Sequence, residues 1–107
     1  MITEEHVEKA LDFLARTAKE YAELKGRVGI FEYKLKIIEA SEYLEVETGT
    51  QEYKKSAARN SKEYSEAVET YKDELERFTY LQSMRKTAEM KISVWQSIQK
   101  SKSQGVI

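Results

Sequence analysis

One histidine, three aligned glutamates and a run of bases are the residues of this chain with chemistry to offer. His6 stands among Glu4, Glu5 and Glu8. A carboxylate-bridged metal pair in a helical bundle needs Glu-x-x-His twice, yet Thr3 occupies the position three before His6. Glu39, Glu42 and Glu45 share a helix face and could attract a cation weakly; a solvated acidic face explains them as well. There is no cysteine, which removes thiolate metal sites, disulfides and cysteine nucleophiles together. Glycine-rich phosphate loops, nucleophile elbows and zinc spacings are absent too. The expectation is a protein with no catalytic residue, no metal and no cofactor.

The bases are unevenly spread. Arg77, Arg85, Lys86, Lys91, Lys100 and Lys102 face only Glu89 in the C-terminal stretch, and Lys25, Arg27, Lys34 and Lys36 form a second group. A basic patch beside Trp95, Gln96 and Gln99 would contact nucleic-acid phosphate. The plainer account is that bases near a helix C-terminus complement its dipole, with Trp95 serving as core. The net charge of −1 gives no global field toward nucleic acid or an acidic membrane.

These residues need long helices to hold them. The chain has 107 residues, 35% of them charged, and no proline; that profile suits one helical, coiled-coil-like domain. Thr3 reads as an N-cap, with Ile2 and Val7 as a hydrophobic staple. Acids in the first turn suit the positive end of the helix dipole. The apolar stripe then runs Val7, Leu11, Leu14, Ala18, Tyr21, Leu24, Val28, Phe31, Leu35, Ile38. Steps of four and three alternate, as in a coiled-coil seam. Two threes fall together around Tyr21 and Leu24, like a stammer. Gly26 and Gly29 just beyond it mark either close approach of a neighbouring helix or weak helix at a bend. Four acid-then-base pairs at i,i+4 support the outer face: Glu5–Lys9, Asp12–Arg16, Glu23–Arg27 and Glu32–Lys36.

Thr48-Gly49-Thr50 ends this helix near Val46. Residues 51–59 read as a short helix capped by Thr50 or as continuous helix onward, and Ser61 reads as a further cap. The second stripe is Tyr64, Val68, Tyr71, Leu75, Phe78, Leu81, Met84 or Arg85, Ala88, Ile92, Trp95, again with a doubled three. Two phase slips equidistant from Gly49 point to an antiparallel pairing of the helices.

The sequence therefore predicts an all-α fold: an antiparallel long-helix hairpin with helices over about 3–46 and 61–102, a connection over 47–60 and a loose tail over 103–107. A lone hairpin leaves Phe13, Ile30, Ile37, Tyr80 and Val94 outside its seam. Such apolar surplus marks an interface, so association into a helical bundle, a homodimer first, is expected. Tyr21, Leu24, Val28, Phe31, Leu35, Tyr71, Phe78, Leu81 and Trp95 are its expected self-association residues. No apolar run approaches the roughly 20 residues of a membrane span, and the N-terminus is acidic where a secretion signal is basic. The expected location is the cytoplasm.

The segment Ala57-Ala58-Arg59-Asn60-Ser61-Lys62-Glu63-Tyr64, followed by a heptad helix with Ile92-x-x-Trp95 and a Ser/Lys/Gln tail, resembles small coil-containing helical proteins of tailed bacteriophages. The resemblance covers about the last half of the chain. Lys62 stands where those proteins carry proline in Ser-Pro-Glu-Tyr. It implies an accessory factor acting on DNA or on a replication or recombination protein, and it transfers no site residues.

Overall fold

The computed structural model describes residues 1–105. The chain is all-α: α1 spans Glu4–Glu45, α2 Gln51–Arg59 and α3 Lys62–Ser103. The fold is an antiparallel hairpin of two long helices with a short helix in the connection. As numbers rise along α1 they fall along its partners. Arg27 meets Glu74, Phe31 stacks at 5.0 Å on Tyr71, and Glu39 meets Arg59 of α2. The chain packs as two compact units: unit 1 is Met1–Ala22 with the chain from Thr79 on, and unit 2 is Glu23–Phe78.

Each helix starts where a side-chain oxygen can accept an otherwise orphaned amide. Thr50 Oγ1 accepts from the Tyr53 amide at 3.1 Å, and Ser61 Oγ from the Tyr64 amide at 3.2 Å. At α1 the cap is reciprocal. Thr3 Oγ1 accepts from the His6 amide at 3.3 Å, while the Thr3 amide donates to His6 Nδ1 at 3.1 Å. Histidine takes the place that Glu or Gln holds in a capping box. Gly49 (φ 121°) turns the chain after α1; a Cβ there would lie 2.5 Å from the Tyr53 ring, so glycine is required. Gly105 also has positive φ, 72°. The last two residues of the expected tail lie outside the described residues.

The seam departs from the stripe expected from sequence. Along α1 the covered positions are Val7, Ala10, Leu14, Thr17, Tyr21, Leu24, Val28, Phe31, Leu35 and Ile38. Along α3 they are Tyr64, Ala67, Tyr71, Glu74, Phe78, Leu81, Arg85, Ala88, Ile92 and Trp95. Steps of three and four alternate without a break on both helices. The expected stammers do not exist. Leu11, Ala18, Val68 and Leu75 are the more apolar neighbours, but Ala10, Thr17, Ala67 and Glu74 hold the seam. Leu11 is 52% exposed and Leu75 38%, whereas Ala10 is 6%. An unbroken 3.5-residue repeat keeps one seam facing its partner; a doubled three would swing it away. The antiparallel pairing thus rests on an intact heptad, not on matched slips.

Candidate functional site

One polar cluster interrupts the seam in each unit. In unit 1 Arg85 occupies a seam position. Its Nη1 donates to the Leu14 carbonyl and to Thr17 Oγ1, both at 2.7 Å, and its guanidinium lies 4.9 Å from the Tyr21 ring centre. Thr17 in turn donates to the Phe13 carbonyl at 2.7 Å. In unit 2 Glu74 occupies the equivalent kind of position. Its Oε1 accepts from Arg27 Nε at 2.8 Å, and its buried Oε2 has no hydrogen-bond partner. Arg27 was expected to pair with Glu23 along α1; it crosses to Glu74 instead.

The expected nucleic-acid residues are distributed over the seam and both units. Arg85 is committed to the seam, and Arg77 belongs to unit 2. Lys86, Lys91, Lys100 and Lys102 remain exposed in unit 1. Lys86 and Lys91 lie on opposite flanks of the outer face of α3. Trp95 is half-buried in the seam, as the plainer account holds.

Of the expected self-association residues, Leu24, Phe31 and Leu81 are covered by the chain's own helices, at 3%, 9% and 6% exposure. Tyr21, Val28, Leu35, Tyr71, Phe78 and Trp95 are half-buried along the same seam. All nine line the hairpin's own seam. Each fully covered Leu or Phe contributes about 1.5–3 kcal/mol by leaving water.

The surface left over has its own order. Opposite the seam, α1 in unit 1 presents Glu5, Lys9, Asp12, Arg16 and Lys19, with Glu5–Lys9 and Asp12–Arg16 paired at 3.2 and 3.6 Å. In unit 2 the same face opens on Glu23 and then becomes Gly26, Ile30, Tyr33, Ile37, Ala40 and Leu44. Ile30, Tyr33, Ile37 and Leu44 are 51%, 69%, 54% and 81% exposed. Helix α3 switches in the same manner. Its outer face carries Glu66, Glu69, Asp73 and Glu76 in unit 2, and Tyr80, Ser83, Thr87, Met90, Val94 and Ser97 in unit 1. Each unit thus has one charged outer face and one largely free of charge (in unit 2 from Gly26 on, past Glu23), and both of these faces keep heptad spacing. Ile30, Ile37, Tyr80 and Val94 stood out in the sequence as surplus; the missed signal was that the surplus residues are themselves periodic.

An open, mostly apolar groove of about 440 Å³ borders the α1 stripe, lined by Lys36, Glu39, Ala40, Tyr43, Leu44 and, from α2, Lys55. Helix α2 is held there by Ala58, 1% exposed, by Arg59–Glu39 at 3.1 Å and by Lys54 over the Tyr43 ring at 5.8 Å. The acidic trio does not act as a group: Glu39 pairs with Arg59, while Glu42 has its carboxyl held above the ordinary value, first by desolvation and then by Glu45 and Glu63. Among the described residues no cluster of three or more His, Cys, Asp or Glu could hold a metal ion. No helix among them is long and apolar enough to cross a membrane. No protein-family model, curated protein or solved structure matches this chain.

Proposed function

We propose that the protein is a non-enzymatic helical adaptor that binds other protein chains along the outer faces of its long helices and associates with itself. The observation that carries this reading is the pair of uncharged, heptad-spaced outer stripes. Solvated outer faces of a hairpin are normally charged, as α1 is in unit 1, and an exposed apolar stripe at coiled-coil spacing marks a surface that meets protein. Self-association uses the α3 stripe of unit 1. On one flank Lys91 stands between the apolar Met84 and Ile98, which widens the uncharged face toward a second copy. Light scattering tests it. The wild type is expected at about twice the 12.5 kDa of one chain, and Met90→Lys with Val94→Lys at the mass of one. A wild type that stays single at all concentrations sinks the self-association.

A second reading, an accessory factor in phage DNA metabolism, is favoured by one feature. Lys86, Lys91 and Lys100 flank a face rich in hydroxyls, Ser83, Thr87 and Ser97, and both groups contact phosphate oxygens. Binding of single- and double-stranded DNA across a salt series separates the readings. The accessory factor predicts affinity that falls steeply with salt and is lost in Lys86→Glu with Lys91→Glu. Arg85 is left intact in that test because it holds the seam.

A further inference from the structure

We propose that the outer stripe of α1 in unit 2, with the groove between α1 and α2, is the docking site for an amphipathic helix of another protein whose flanks are acidic. The proposal rests on the adaptor reading and names the partner of one of its surfaces. Ile30, Tyr33, Ile37, Ala40 and Leu44 follow steps of three, four, three and four, the anchor spacing of a helix laid into a groove. The stripe is about 21 Å long at 1.5 Å per residue, enough for two heptads of a partner. At its Leu44 end the wall of α2 deepens the face into the groove lined by Ala40, Tyr43 and Lys55.

Charge identifies the occupant. Lys34 flanks the stripe on one side and Lys36 on the other, and Lys55 stands across the groove from Lys36. Glu39, the acid in the groove wall, is paired with Arg59 at 3.1 Å. A second copy laying its own α1 stripe here would bring Lys34 and Lys36 against Lys34 and Lys36 in either direction, because both flanks carry the same sign. Like charges juxtaposed across an interface discriminate against that partner. A helix with apolar anchors and glutamates or aspartates beside them meets no such penalty. Gly26 continues the stripe one step before Ile30, and a Cβ built there meets nothing within 4 Å, so a partner backbone can come close at that end.

The test uses the full chain and two synthetic amphipathic peptides about 15 residues long, matched to the stripe. Both carry leucine and isoleucine at the anchors; one has glutamates on its flanks and the other lysines. Fluorescence anisotropy is expected to show the acidic peptide binding about tenfold or more tightly than the basic one. Ile37→Asp should abolish that binding, while Lys34→Glu with Lys36→Glu should invert the preference. Ile37 is 54% exposed, so Ile37→Asp should leave the helical circular dichroism unchanged. Equal affinity for the two peptides overturns the proposal, as does no binding of either. It is also overturned if Ile37→Asp splits a self-associated wild type, because a second copy then occupies the face. If the peptides fail while Met90→Lys with Val94→Lys still halves the particle mass, the adaptor survives and only this partner is lost. If the wild type is single and binds neither peptide, both fall.

Discussion

The two units are built from the same pair of helices, yet they solve the same problem differently. In unit 1 the seam's polar residue is satisfied: Arg85 donates to two acceptors 2.7 Å away and lies against Tyr21. In unit 2 the seam's polar residue is half satisfied: Glu74 Oε1 has Arg27, and its buried Oε2 has nothing. The outer faces differ in parallel. Unit 1 has charge on α1 and an uncharged α3; unit 2 has an apolar α1 and acids along α3. A continuous heptad fixes the fold in both, and the residues off the heptad decide what each unit can do.

The comparison is tested most severely in the seam itself. Leu24 in unit 2 and Leu81 in unit 1 are nearly equally covered, at 3% and 6% exposure. Leu24→Ala and Leu81→Ala should each cost about 2–4 kcal/mol, from lost transfer energy and residual cavity. Urea unfolding followed by circular dichroism measures both. A loss under about 1 kcal/mol in one of them would mean that its unit does not hold the hairpin shut.

The polar interruptions should respond with opposite signs. Arg85→Leu strips Thr17 and the Leu14 carbonyl of their donor and should destabilise by about 1–3 kcal/mol. Glu74→Leu removes a carboxylate that is already short of a partner and leaves Arg27, 46% exposed in its side chain, free to turn to water. It should be neutral or stabilising by about 1 kcal/mol, as when apolar residues replace a poorly compensated ion pair. The same urea midpoints decide it: a Glu74→Leu loss as large as that of Arg85→Leu would erase the contrast.

These residues also show what could be read from sequence. Helix limits were legible because caps are local: Thr3, Thr50, Ser61 and Gly49 each declare themselves within a few residues. The hairpin was legible because proline-free helical stripes stand either side of one break. The seam's phase was not legible by apolarity. At each ambiguous step the more apolar neighbour, Leu11 over Ala10 or Leu75 over Glu74, lies outside, because continuity of the repeat outweighs the gain from one side chain. Arg85 was legible as an alternative to Met84 on the stripe and as a base of the basic group, but nothing in a single sequence says that Thr17 waits opposite it. The outer stripe of α1 was visible only as leftovers until the seam was assigned correctly.

A smaller effect concerns the glycines of unit 2, for which unit 1 has no equivalent on α1. A Cβ at Gly26 or Gly29 meets nothing within 4 Å, and both lie inside α1. Close packing within the chain is thus not their reason. Gly26→Ala and Gly29→Ala should each stabilise the free chain by up to about 1 kcal/mol through helix propensity. A loss of thermal stability in either would show that the backbone there is under a constraint absent from the helix geometry.

The smallest expected effect lies where unit 2 gathers like charge. Helix α1 ends with Glu42 and Glu45 and no base in its last turn, against the sign its dipole prefers. Glu63 adds to the repulsion, and desolvation acts first; together they raise the Glu42 carboxyl above 4.5. A carboxyl raised on folding binds its proton more tightly in the folded state. Its favourable contribution is complete below the ordinary value and is lost as pH rises through the raised one. Glu42→Gln removes that loss, so the variant should be the more stable protein at neutral pH. The advantage should vanish at about pH 3, below the ordinary glutamate range. Other carboxylates titrate in both proteins, so the difference in melting temperature between variant and wild type isolates this group. A gap that stays constant with pH, or that favours the wild type at neutrality, would show that the end of α1 is not strained by its own acids.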